Sequence, residues 1–219
     1  MSKECEVIHE LAGHLKRHYF PFDNSDIPHN GIYILFEKNE KGHGGERIVR
    51  VGTHTGENQL FPRLKQHFLN ENKDRSIFRK NIGRSLLKKE NDSFLEYWEL
   101  DLTTRKAKEK YSHLIDSRYQ KAIESQVSQY IREAFSFCVF EINNKKRRLE
   151  IESKLISTIS WCEECVPSSH WLGSFSPKEK IANSGLWLVN ELYKTPFNAS
   201  DIQHLEKLIK GKQSSNDRH

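Results

Sequence analysis

Residues 31–37, GIYILFE, and residues 47–53, RIVRVGT, decide how this chain folds. Each is a short run of β-branched and aromatic residues bounded by turn formers or charge, which is the composition of a strand. The segment between them, KNEKGHGGE (38–46), is charged and rich in glycine. Together the three pieces predict a β-hairpin with a long loop.

Working outward, Pro62 suits the first turn of a helix that carries Leu64 and Phe68 on one side. DRSIFRKNIGRSLLKK (74–89) predicts a second helix, with Ile77, Ile82 and Leu86 inward and its basic residues outward. FLEYWEL (94–100) reads as a third strand and SFCVFEI (136–142) as a fourth. Between them the charged stretch 103–135 is helical in composition, one or two helices standing off the core. KKRRLEIESKLISTIS (145–160) predicts a helix burying Leu149, Ile151, Leu155 and Ile156, and ECEVIHELAGHLKRH (4–18) an amphipathic helix through Val7, Leu11 and Leu15. Trp161–Ser184 is expected to be irregular yet ordered, because its aromatic residues need burial. Helices are expected at Gly185–Tyr193 and Asp201–Lys210. The fold class that follows is α/β of the α+β type: a small, mainly antiparallel sheet flanked by helices. One domain over 1–219 is expected, with a helical extension at 1–30, a helical insertion at 101–135 and a disordered tail at 211–219.

Thirty-five Lys and Arg against 30 Asp and Glu leave a net charge of +5 over 219 residues. That is too mild to establish a nucleic-acid partner by itself, so the placement of the charges must decide. No run approaches the roughly 20 apolar residues of a membrane span, and the acidic N-terminus lacks the pattern of a signal peptide. A soluble, cytoplasmic protein is expected, with no membrane partner. Four cysteines are too few for a disulfide framework and fit a reducing compartment. Cys162 and Cys165, with His170 nearby, lack a second ligand pair at a usual zinc spacing, so they are expected to be partly buried thiols.

Gly31-Ile32-Tyr33 on one strand, Arg50-Val51-Gly52 on its hairpin partner, then Arg63 and His67 on the next helix, resemble the GIY-YIG nuclease family in residue type and order. Ile151-Glu152-Ser153-Lys154-Leu155-Ile156 has the form of that family's later LE-x-x-LI helix. The resemblance covers 31–69 and 149 to about 187. It implies an endonuclease that cuts DNA, in a restriction, defence or repair role, with Glu152 holding one Mg²⁺ or Mn²⁺. It further implies that the Tyr33 hydroxyl contacts and helps activate the attacking water, and that Gly31, Gly52 and an asparagine support the site. Asn183 is the candidate asparagine, with Asn198 behind it. One departure is plain: Arg50 stands where the second tyrosine of the family name belongs. His54 and Lys65 are the neighbouring candidates for that tyrosine's role.

The residue types make chemical sense without the family. Phosphodiester hydrolysis needs an activated water, stabilisation of negative charge on the phosphoryl oxygens and support for the leaving oxygen. Arg63 and His67, four residues apart, project from one helix face, and a guanidinium there can pair with a phosphate while staying charged. His67 can accept or pass a proton near neutrality, directly or from the Tyr33 phenol. A lone carboxylate such as Glu152 can hold a hard cation that keeps several waters.

Each of these residues also has a plainer reading. Tyr33 is by default a core aromatic, Arg63 with His67 a solvated helix face, Glu152 a surface partner of Lys154 or Arg148, and Asn183 a turn or helix cap. It is their combination that points to a site. Arg75, Arg79, Lys80 and Arg84, with Lys145, Lys146 and Arg147, are expected to line a DNA-binding cleft, double-stranded DNA being the expected partner. The mixed charges of 103–134 suit groove contacts or a homodimer interface. A second reading, motivated by Arg50, is a weakly active or inactive domain that binds nucleic acid or a protein partner. A third, an interaction domain with no nucleic-acid partner, would show no salt-dependent affinity for DNA or RNA.

Overall fold

The computed structural model describes residues 2–216. In chain order its elements are α1 (Ser2–Gly13), β1 (Gly31–Gly42), β2 (Gly45–Gly52), α2 (Leu60–Phe68), α3 (Ile77–Lys89), α4 (Leu95–Glu99), α5 (Arg105–Tyr111), α6 (Ser117–Ala134), β3 (Phe135–Glu141), α7 (Lys145–Ser160), α8 (Glu179–Ser184) and α9 (Ala199–Asn216). The three strands form one antiparallel sheet in the order β2-β1-β3, as the α+β class requires.

The hairpin is tighter than the sequence suggests. Gly42 pairs with Gly45, leaving only His43 (φ 48°) and Gly44 (φ 74°) in the turn. Positive φ at both central residues matches the right-handed twist of the strands, and Gly44 takes that conformation without cost. Two irregularities interrupt the ladder. Leu35 faces Arg50 while Phe36 faces Ile48, so Val49 is an extra residue in β2, and farther along β1 carries extra residues between Phe36 and Lys41.

Alternation along β1 splits the core between two faces. Ile32, Ile34 and Phe36 join Ile48, Val51, Cys138 and Phe140 beneath α1, α7 and α9. Tyr33, Leu35, Val49, Phe135 and Phe137 join Leu64, Phe68, Phe78, Trp98, Val127, Trp171 and Trp187 on the other face, which α2, α3 and α6 cover. Side-chain caps start the helices where expected: Ser76 accepts from the Arg79 amide, Asp116 from those of Arg118 and Tyr119, and Asn144 from that of Arg147.

Five expectations are corrected. Residues 94–100 form the helix α4, because Trp98 is fully buried and donates its indole N–H to the Lys80 carbonyl at 3.0 Å. Its ring lies where a side chain on Gly83 would be, 2.3 Å from a Cβ there, so packing overrides the strand-like composition. The 103–135 segment does not all stand off the core: α6 buries Ile123, Val127 and Ile131, whereas α5 buries nothing. Residues 185–193 are turns, since Gly185 (φ 68°) ends α8 and the Trp187 amide bonds to the Val49 carbonyl at 2.8 Å. The backbone of α9 continues through 211–216, expected to be tail, while 217–219 lie outside the described residues. Ile77, expected inward, is 43% exposed in the first turn of α3.

The segment after α7 is ordered, as expected, and irregular up to α8, which takes Glu179–Ser184 out of the stretch read as loop; two carboxylates of β1 hold it. Glu37 Oε2 accepts the indole N–H groups of Trp171 and Trp187, each at 2.8 Å, and Oε1 accepts the Tyr130 hydroxyl. Glu40 is paired with the buried Arg47 at 2.6 Å and accepts the Ser168 hydroxyl at 2.5 Å. No helix among the described residues is long and apolar enough to cross a membrane.

Candidate active site

The start of β1, the end of β2 and one face of α2 converge. Tyr33 projects from β1 opposite Gly52, and a Cβ on Gly52 would lie 2.2 Å from the Tyr33 hydroxyl oxygen. Only glycine lets the phenol lie across β2 and reach α2, where it meets His67 Nε2 at 2.8 Å. His67 Nδ1 in turn contacts Ser76 Oγ at 2.8 Å, and the His67 carbonyl accepts from Arg79 at 3.2 Å. Tyr33 and His67 are both completely buried. Burial, and then the charges of Arg63, Arg50 and Arg79, hold the His67 pKa well below the ordinary histidine value, so the ring is a neutral imidazole near pH 7.

Arg63, one turn before His67, is half-buried and is steadied by Gln66 Oε1 at 2.9 Å and the Arg75 carbonyl at 3.4 Å. With Thr53, His54, Thr55, Gly56, Gln59 and Gln66 it lines an open cleft of about 350 Å³. Glu152 approaches from α7. Its Oε1 accepts the Thr53 amide at 3.0 Å, and the Thr53 hydroxyl donates to the Gly31 carbonyl at 2.6 Å, tying the carboxylate to the first residue of β1. Burial raises the Glu152 pKa to about 7 against the opposing pull of Arg50, the Thr53 amide and Arg63, with Glu191 adding to the rise.

Arg50 replaces the second tyrosine in a definite way. The extra residue Val49 turns both itself and Arg50 toward the Tyr33 face, a common use of a bulge beside a site. Arg50 is buried, donates to the Trp187 carbonyl and stands 5.2 Å from the centre of the Phe78 ring. Its Nε has no hydrogen-bond partner. Its charge acts on both His67 and Glu152, lowering the pKa of each.

The substitutes considered from sequence do not fill that place. His54 is buried with both nitrogens engaged, Nε2 accepting from the Gly31 amide at 3.3 Å and Nδ1 donating to the Gly56 carbonyl at 2.7 Å, so it holds the strand entry. Lys65 is exposed and sits 5.8 Å above the Phe61 ring. Asn183 is an exposed residue of α8 with no hydrogen bond to Tyr33, Arg63, His67 or Glu152, and Asn198 accepts the Asp201 amide at 2.9 Å at the start of α9. Gly31 is required because the Phe140 carbonyl oxygen lies 2.3 Å from where its Cβ would be.

The expected basic cleft is largely taken apart. Arg79 is fully buried, giving Nε and NH2 to Glu124 at 3.2 and 2.7 Å and NH2 also to Ser128 at 2.8 Å. Lys80 bonds to the Glu99 carbonyl at 2.8 Å. Arg84 grips the Glu99 carboxylate with two bonds of 2.5 and 2.6 Å. With their donors engaged internally, these three are not available to phosphates. Arg75, Lys145, Lys146 and Arg147 remain exposed. Two contributors were not named from sequence: Ser76, visible there only as a helix cap, and Thr53, signalled only by following Gly52.

A family profile described as GIY-YIG domain matches residues 6–215. No curated protein and no solved structure matches the chain. The profile spans nearly the whole sequence, including α1 and the α5–α6 segment as well as the hairpin, and the chain therefore belongs to the GIY-YIG nuclease superfamily.

Proposed function

We propose that this chain is a divalent-metal-dependent endonuclease that hydrolyses phosphodiester bonds in double-stranded DNA. The observation that supports this best is the buried Tyr33–His67 hydrogen bond of 2.8 Å in the field of Arg63 and Arg50, with Glu152 held by the amide of Thr53, the residue after Gly52. Glu152 fits a Mg²⁺ or Mn²⁺ ion: it is a partly open carboxylate with one oxygen held by an amide, and burial disfavours its charge until a cation compensates it. When bound, such an ion polarises the phosphoryl group and lowers the pKa of a coordinated water.

The protein's own groups divide the remaining tasks. Neutral His67, with Nδ1–H directed to Ser76, presents the Nε2 lone pair to the Tyr33 hydroxyl and can take its proton as the phenol takes one from water. Arg63, on the cleft wall, neutralises the phosphate, and the buried charge of Arg50 adds to the positive field acting on Glu152. Because Tyr33 is completely buried, a local opening must admit water before it meets the phenol.

Supercoiled plasmid with Mg²⁺ tests the proposal: wild type is expected to nick it and Glu152→Gln not to. Absence of nicking by wild type under any divalent metal, combined with salt-dependent binding, would support the second reading, a non-cleaving nucleic-acid-binding domain. Arg50 at the second tyrosine position is what keeps that reading in view.

Gly52→Ala is expected to push the phenol off His67, lowering the nicking rate about 10²-fold, as a displacement of about 1 Å does. Overpacking adds about 1–3 kcal/mol of destabilisation, read from the urea midpoint. Replacing Lys145, Lys146 and Arg147 together by alanine should leave the nicking rate at saturating DNA unchanged. The slope of log K against log salt should flatten by roughly 2–3 if these residues meet phosphates.

A further inference from the structure

We propose that Cys5, His9, His43 and Cys165 form a structural zinc site at the tip of the β1–β2 hairpin. One ligating atom from each lies within 4.8 Å of every other. Cys5 and His9 are one turn apart on α1, His43 is the first turn residue of the hairpin, and Cys165 follows α7. The site is separate from the cleft: Tyr33 and Gly42 stand toward opposite ends of β1, roughly 30 Å of extended chain apart.

Two of the donor separations match a tetrahedral zinc site. Zinc bonds of about 2.0–2.3 Å put neighbouring donors about 3.3–3.8 Å apart. Cys165 Sγ lies 3.7 Å from Cys5 Sγ and 3.8 Å from His9 Nε2, and the remaining donor pairs lie within 4.8 Å. At 3.7 Å the sulfurs are far beyond a disulfide bond, and both cysteines are free.

The surroundings orient the donors as metal ligands are usually oriented. His9 donates Nδ1–H to the Cys5 carbonyl at 2.9 Å, leaving Nε2 as the ligand. That nitrogen now accepts the Ile48 amide at 3.1 Å, a bond the metal must displace. His43 Nδ1 lies 3.6 Å from the Glu164 carboxylate and Nε2 3.3 Å from Cys162 Sγ, and one of its ring nitrogens is within 4.8 Å of the other three donors. Two thiolates and two neutral imidazoles balance the charge of Zn²⁺, and sulfur–nitrogen coordination favours zinc over the hard cations suited to Glu152.

Cys5 and Cys165 are 0% and 5% exposed and His9 7%, so the site is closed to substrate and its role is to staple α1 and the post-α7 segment to the hairpin tip. The sequence conceals it because the four ligands come from three distant stretches. The Cys162–Cys165 pair contributes one of them, and His170, the histidine nearest in sequence to that pair, is exposed elsewhere.

Untagged protein purified under reducing conditions without chelator is expected to hold about one zinc per chain by elemental analysis. Replacement by Co²⁺ should give thiolate-to-cobalt charge-transfer absorption together with intense tetrahedral ligand-field bands. Cys165→Ser should lose the zinc, and Glu152→Gln should keep it. If Cys165→Ser does not fold, the wild-type cobalt spectrum decides. Zinc-free wild type that gives no charge-transfer band with Co²⁺ overturns the site, and full zinc retention by folded Cys165→Ser overturns the ligand assignment.

Discussion

Glu152→Gln should be folded, more stable than wild type at pH 8 and slower in nicking plasmid DNA by at least about 10²–10³-fold. The two effects share one cause. The carboxyl ionises near pH 7 in the folded protein because burial opposes its charge, whereas in an unfolded chain it ionises near pH 4.3. The folded state therefore retains a proton that the unfolded state releases. This group's contribution to stability is greatest below about pH 4.3, declines as the pH rises and levels off above about 7. The full difference corresponds to about 3–4 kcal/mol, and the open side of the residue reduces it to about 1–3 kcal/mol. Glutamine keeps an oxygen for the Thr53 amide, carries no charge and removes that part of the slope. Urea midpoints for both proteins between pH 4.5 and 8.5, without added Mg²⁺, measure it. Equal nicking by the variant, or identical slopes, would contradict the assignment.

Arg79→Ala should destabilise the fold by about 3–5 kcal/mol, the loss expected when one partner of a buried ion pair is removed. Glu124 would be left as a buried carboxylate, since it is 4% exposed and otherwise accepts only the Lys73 amide. The His67 carbonyl would lose its guanidinium as well, so activity should fall with stability. A residue that only contacted DNA would behave oppositely, leaving the urea midpoint unchanged and reducing the salt slope by about one. Arg79→Lys keeps the charge but not the planar fork that reaches Glu124, Ser128 and His67 together, so it should recover only part of the loss.

That contrast marks the limit of what the sequence discloses. Tyr33, Arg63, His67 and Glu152 could be picked out because short motifs carry them, and the hairpin could be read because β-branched runs flank a glycine-rich turn. Arg79, Lys80 and Arg84 read as surface residues because charge is usually solvated. Their acceptors, Glu124 and Glu99, lie 45 and 15 residues from Arg79 and Arg84, and no local pattern announces such pairs. FLEYWEL misleads for a related reason. Its aromatic composition suits a strand, and only the space above Gly83 makes Trp98 the anchor of a helix. Arg50 was visible as a departure from the family, but its direction depends on the extra residue Val49, which appears only once strand register is known.

The two interruptions of the hairpin ladder also bear on how such a protein can change over generations. Register is reset once between Leu35 and Phe36 and again between Phe36 and Lys41, so pairing at the turn is not rigidly geared to pairing at Tyr33 and Gly52. Residues gained or lost at those resets need not disturb either the Tyr33–Gly52 end or the turn that carries His43. Selection can therefore vary the middle of the hairpin while both of its ends keep their geometry.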